Sequence, residues 1–160
     1  MNKLLYIILI SLFSLTIISC AKKSDSSDTT SSVSFVAVGT SGTILTSPDG
    51  TTWTAQTSGT SEYLDRVTYA NSTFVAVGNN GTILTSSDGI TWTSRTSGTT
   101  SNWIAGVTYA NSIFVIVGEN GTILTSSDGT SCDNKTSGTT SDLSGLTYGN
   151  SITIKLLFEF

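Results

Sequence analysis

Aspartate recurs along the chain at nearly constant spacing, as Asp49, Asp88 and Asp128, each followed by a glycine, Gly50, Gly89 and Gly129. A carboxylate at such positions is able to act as a general acid or base, a nucleophile or a metal ligand. Hydrolysis of a glycosidic bond by paired carboxylates needs two carboxyls facing each other across the substrate. Glu62, Asp65, Glu119 and Asp142 are the acidic residues that could face each other, and no spacing marks a pair among them. The chain has no histidine, and Cys132 is the one cysteine in the repeated region. That inventory excludes zinc or copper sites of the usual ligand types, so neither metal nor cofactor is expected. A catalytic group is needed once, whereas this aspartate returns in every unit. An Asp in a tight turn can instead accept hydrogen bonds from backbone N–H groups of that turn. Asp49, Gly50 and Trp53, Asp88, Gly89 and Trp92, and Asp128 and Gly129 are therefore read as structural turns, and no catalytic residue is assigned.

The elements that carry these turns repeat as well. The stretch from Val67 to Thr100 returns almost intact from Val107, and without its beginning from Phe35. Phe35, Phe74 and Phe114 are equivalent, which gives a period of roughly 40 residues and places the chain among solenoids, propellers and arrays. Each unit reads as four short strands. In the second unit these are Val67 to Ala70, Thr73 to Gly78, Thr82 to Thr85 and Thr91 to Arg95. β-Branched and aromatic residues dominate them. Asn71 and Ser72, Asn79 to Gly81, and Ser86 to Gly89 supply the turns, where Asn and Gly accept positive φ with little strain. No segment holds a helical period. The expected fold is all-β, made of antiparallel four-stranded blades of a β-propeller, with about three repeats in an incomplete or truncated set.

The phrase from Phe74 to Trp92, ending in Ser87, Asp88, Gly89, Ile90, Thr91 and Trp92, resembles the Asp-box of BNR-type repeats, as does Ser47 to Trp53. The usual Asp-box has one residue between Asp and Gly, and this chain has none. The wording is similar to YVTN/BNR-like repeats of bacterial surface and secreted proteins, over about Phe35 to Tyr148. The resemblance implies propeller blades and says little about activity, because propellers host unrelated functions. Sialidases carry Asp-boxes too, but their arginine triad needs three arginines, and only Arg66 and Arg95 are present. A sialidase-like glycosidase is therefore the weakest of the functional readings.

The start of the chain reads separately. Met1 to Lys3 is a short basic head, and Leu4 to Ile18 is an apolar run interrupted by Ser11, Ser14 and Thr16. It is shorter than the roughly 20 residues of a membrane-spanning helix. Ile17, Ile18, Ser19 and Cys20 resemble the bacterial lipobox, which implies cleavage before Cys20 and lipidation of that cysteine. Acyl chains there hold a protein at a membrane without a spanning helix. Residues 21–33 lack periodicity and read as a flexible tether. Ala21 follows the cysteine, so the acidic residue linked to inner-membrane retention is missing. The expectation is a lipid-anchored protein of the bacterial cell envelope, at the outer membrane or cell surface. The organisation is a signal peptide (1–19), lipidated Cys and tether (20–33) and repeats (34–160), the last dividing near 34–59, 60–99, 100–139 and a partial 140–160.

The copies differ in informative ways. The first begins at its second strand. The third has Cys132 in the Trp position. A fourth starts at Leu146 and leaves the consensus after Ser151, with apolar residues alternating from Ile152 to Phe160, which reads as a truncated member of a longer family. Three arrangements are expected: a small ring in which the fourth unit's first strand completes the first blade, a homo-oligomer completing a propeller, or an open arc.

In a propeller the second-to-third and fourth-to-first connections share one face. There the near-copies disagree, at Asn79 and Asn80, at Glu119 and Asn120, at Tyr63, Asp65 and Arg66, and at Asn102 and Trp103. Aromatic residues beside Asn, Asp and Arg suit contact with an extracellular protein or glycan, with Tyr63 and Trp103 as exposed anchors. Net charge is −4 with pI near 4.4, which argues against nucleic acid as a partner. The functional expectation is a surface-tethered, non-enzymatic binding or scaffold module, with a degenerate fragment as the alternative.

Overall fold

The computed structural model of the chain describes residues 32–99 and 101–149. Cys20, the signal peptide, most of the tether and the alternating tail from Ile152 lie outside the described residues. Three antiparallel sheets are present, and their boundaries follow the sequence repeat. The first contains β1 (Phe35–Val38), β2 (Ile44–Ser47) and β3 (Thr54–Gln56). The second contains β4 (Leu64–Ala70), β5 (Thr73–Gly78), β6 (Ile83–Ser86) and β7 (Thr93–Arg95). The third contains β8 (Ile104–Ala110), β9 (Ile113–Gly118), β10 (Ile123–Ser126) and β11 (Asp133–Lys135). Each sheet is a plain meander, with every strand hydrogen-bonded to the next in sequence. Together they are propeller-like blades that do not close into a barrel among the described residues.

Turn chemistry fixes the hairpins. β4 and β5 join through Asn71 and Ser72, with φ of 48° and 57°, and Ala70 pairs directly with Thr73. Positive φ at both central residues makes a type I′ turn, whose twist matches that of the strands. Asn111 and Ser112 repeat it at 48° and 63°. The inner strands are longer than the sequence suggests. β4 starts at Leu64 and β8 at Ile104, both buried, so part of each presumed loop is strand. A bulge sits between Leu64 and Arg66, and again between Ile104 and Gly106. An extra residue breaks the two-residue alternation that marks a strand, which is why Leu64, Asp65 and Arg66 read as loop.

The core lies in the seams between sheets. Val36, Val38 and Ile44 of the first sheet pack against Leu64, Ala76 and Leu84 of the second. Val75, Val77 and Ile83 on the opposite face of the second sheet pack against Ile104, Phe114, Ile116 and Leu124 of the third. Both faces of β5 are thus buried, and Val75, Ala76 and Val77 have no exposed surface. Trp92 packs on the first seam and stacks toward Phe74 at 6.2 Å between ring centroids. Its equivalent Trp53 stays exposed, because among the described residues no sheet precedes the first blade. Cys132 fills the same place on the second seam.

Among the described residues the fourth unit does not close a ring. Leu146 to Gly149 forms no strand and does not join β1. Leu143 N–H donates to Gly118 O at 3.0 Å, and the Tyr148 hydroxyl bonds Asn111 Oδ1 at 2.9 Å, so this segment lies along the third blade.

Candidate functional site

The repeated aspartates are held by their own turns. Asp88 Oδ1 accepts the N–H of Ile90 and of Thr91, both at 2.8 Å, and the Ser86 hydroxyl at 2.8 Å. Asp49 accepts from Thr51 and Thr52 at 2.9 and 3.0 Å, and Asp128 from Thr130 and Ser131 at 2.7 and 3.0 Å. Donors aimed at an anion stabilise it over the neutral acid. The N–H of Thr91, then that of Ile90, then Ser86 hold the Asp88 carboxyl down at about 2. Asp49 is lowered chiefly by the Thr52 N–H, and Asp128 chiefly by the Thr130 hydroxyl. These carboxylates stay ionised and committed to local bonds, which suits neither a proton donor nor a free nucleophile.

A serine lies beneath each aspartate and is not marked out by sequence pattern alone. Ser86 is buried, and its oxygen accepts the buried Gly89 N–H at 2.8 Å. Ser47 and Ser126 repeat this contact with Gly50 and Gly129, each at 2.8 Å. Abundant serine elsewhere hid the signal, although Ser47, Ser86 and Ser126 stand at one fixed place in every copy.

The residues that vary between copies do meet on one face, and the main chain brings them together. Asn79 N–H donates to Tyr63 O at 2.8 Å, and Asn80 N–H to Asn102 O at 2.8 Å. Glu119 N–H donates to Trp103 O at 3.0 Å, and Asn120 N–H to Asp142 Oδ1 at 3.0 Å. An isolated bridge joins Asn79 to Trp103, linking the second blade to the third. Gly78 makes the close approach possible, since a Cβ there would collide with the Tyr63 carbonyl, and Gly118 stands in the same relation to Trp103. The side chains of Asn80, Asn102 and Asn120 remain exposed, and so does Tyr63.

Two expected site residues, Trp103 and Asp65, sit differently. Trp103 is half-buried rather than exposed, because its backbone is drawn into the seam by Asn79 and Glu119. Asp65 occupies the β4 bulge, with its side chain 9% exposed and Arg66 Nη1 3.1 Å from Oδ2. That ion contact lacks hydrogen-bond alignment, and Oδ2 has no other partner. Arg66 also donates to the Asp65 carbonyl at 2.9 Å. Arg95 is used elsewhere, donating through Nε to Thr85 Oγ1 at 2.8 Å. The two arginines therefore serve separate local contacts.

A second feature was not anticipated. On the face opposite the variable one, a cavity of about 370 Å³ is lined by Val33, Tyr69, Phe74, Asp88 and Ile90 among others. Tyr69 is 58% exposed despite stacking on Phe74 at 4.4 Å. Among the described residues no group of three or more Cys, Asp or Glu is placed to hold a metal ion. The Cys132 thiol is pushed up by burial and by the charges of Asp128 and Asp133, which disfavours the reactive thiolate. No protein-family model, curated protein or solved structure matches the chain.

Proposed function

We propose that this protein is a surface-tethered, non-enzymatic propeller-type module that binds an extracellular protein or glycan, or scaffolds one. Cys20 is the proposed lipid attachment point, and the envelope membrane the proposed anchor. The observation that carries the binding reading is the stitched face: positions that differ between near-copies are linked there by main-chain bonds. A backbone-fixed platform lets Tyr63, Asn80, Asn102, Glu119 and Asn120 vary without disturbing the blades. Rigid aromatic and amide groups on such a platform suit recognition at low entropic cost. The aspartates that a hydrolase would use are engaged in their own turns.

The test is binding of the full chain, in detergent, to arrays of glycans and extracellular-matrix proteins. Tyr63→Ala is expected to weaken a positive signal at least about tenfold, the loss of one aromatic anchor. Trp103→Ala is expected to do the same, with unchanged circular dichroism in both. Signals that survive both substitutions would place binding elsewhere. Hydrolysis of a fluorogenic sialoside or other glycoside would overturn the non-enzymatic reading. Palmitate incorporation by the wild type and not by Cys20→Ala checks the anchor.

A further inference from the structure

The internal seams have a defined front and back. The front of the second sheet, with Phe74, Ala76, Leu84 and Trp92, faces the first. Its back, with Val75, Val77 and Ile83, faces the third. By repeat equivalence the first sheet presents a front of Phe35, Ala37, Leu45 and Trp53, and the third a back of Val115, Val117 and Ile123. Among the described residues no sheet stacks on either. Phe35 is 50% exposed and Trp53 42%. Two surfaces that match each other inside the chain are thus left over at its opposite ends.

The inner edges are complementary too. The first sheet lacks the strand equivalent to β4 and β8, so β1 has an unpaired edge among the described residues. The segment from Leu143 to Gly149 is equivalent to that strand by repeat position, and it lies beyond the third sheet without strand pairing. Its Leu143 N–H bonds Gly118 O at 3.0 Å, as Leu64 N–H bonds Gly39 O at 3.0 Å at the first seam. Leu146 lies over Gly106. The segment thus holds the place that β4 holds beside the first blade, but among the described residues it has no sheet to join. An unpaired strand edge is a template for another strand.

We propose that the protein assembles head to tail with a second copy of itself. Residues 143–149 of one copy pair with β1 of the next, and the front of that first sheet stacks on the third sheet of the donor. The register follows from Val67↔Ala76 and Tyr69↔Phe74: Leu146 pairs with Ala37, and Tyr148 with Phe35. Tyr69 and Phe74 stack at 4.4 Å, and Tyr109 and Phe114 at 4.7 Å. Tyr148, 47% exposed, and Phe35 form the same pair across the copies. The turns repeat their contacts: at Gly129 a Cβ would lie 3.2 Å from Val75 Cγ2. Gly50 therefore faces Val115 of the neighbour. Arg95 and Asp128 line one cavity at the second seam, and Lys135 and Asp49 are their counterparts. The contact is heterologous, which generates a ring or a filament. Two copies supply about six blades, within the usual range of roughly four to eight for one propeller.

The test is the mass of the full chain in detergent, by light scattering corrected for the micelle. The expected value is twice the 16.7 kDa of the chain before any processing, or a larger multiple. Ala37→Asp blocks the front and Val115→Asp the back, so each variant alone is expected to run as a single chain. Mixed, the intact back of the first and the intact front of the second restore a dimer. Only a heterologous contact behaves so. If either aspartate variant loses its β-sheet dichroism, a mixture of Phe35→Cys and Tyr148→Cys chains replaces it. That mixture is expected to yield a disulfide-linked dimer on oxidation that neither chain forms alone. A single-chain mass for the wild type, assembly that survives both aspartate substitutions, or no cross-link in the mixed chains overturns the proposal.

Discussion

Ser86 illustrates how much of a blade rests on one hydroxyl. It accepts the buried Gly89 N–H and donates to Asp88 Oδ1, both at 2.8 Å. Removing the acceptor strands a buried donor, which costs about 1–3 kcal/mol. Ser86→Ala is accordingly expected to lower the unfolding free energy by about that amount, read by urea denaturation, whereas the exposed neighbour Ser87→Ala should leave it unchanged. The aspartate above it sets an acid limit. Its folded-state value of about 2 lies below the ordinary 3.8, so the stabilisation is complete above the ordinary value and is lost as pH falls through the folded one. Asp49 and Asp128 are lowered likewise, and their contributions add in the same direction. Stability should therefore be flat near neutrality and decline from about pH 4 downward, and Asp88→Asn should shallow that decline. A steep loss between pH 5 and 7 would contradict the assignment.

At the scale of single elements, the hairpin between β4 and β5 carries measurable strain. Asn tolerates the left-handed region, but Ser72 sits there at φ 57° without that advantage. Ser72→Gly gives the Asn-Gly pair favoured in type I′ turns. It should stabilise the protein by about 0.5–1 kcal/mol after the entropy of the added glycine is subtracted. Ala at the same position should not. This turn was legible in the sequence because its chemistry is local. The start of β4 was not, since the bulge at Asp65 shifts alternation by one residue and leaves buried Leu64 between exposed Tyr63 and polar Asp65. The variable face was legible from disagreement among copies, which marks positions the fold leaves free. The half-burial of Trp103 was invisible, because it depends on a bridge to Asn79 in the preceding blade.

Over the whole molecule, stability is expected to be graded. Within one chain and among the described residues, the second sheet is covered on both faces, whereas β1 has an unpaired edge and Phe35 faces solvent. In stacked repeats each unit draws stability from its neighbours. In the single-chain Val115→Asp variant, amide exchange in β5 should thus be the slowest, and at least about tenfold slower than in β1, a difference near 1.4 kcal/mol in opening free energy. In the assembled wild type, where residues 143–149 of a second copy cover β1, that difference is expected to narrow; equal protection in the single-chain variant would contradict the gradient.

The main-chain character of the contacts between units has an evolutionary consequence. Leu64 N–H to Gly39 O and Leu143 N–H to Gly118 O join backbone to backbone, each at 3.0 Å. These bonds, and the glycines and apolar side chains that flank them, recur from unit to unit. A gene that gains or loses a whole unit by unequal recombination therefore regenerates a working junction at the moment of the event, with no compensating substitution. Copy number becomes a heritable variable that selection can sample, while the exposed positions of each new unit diverge on their own.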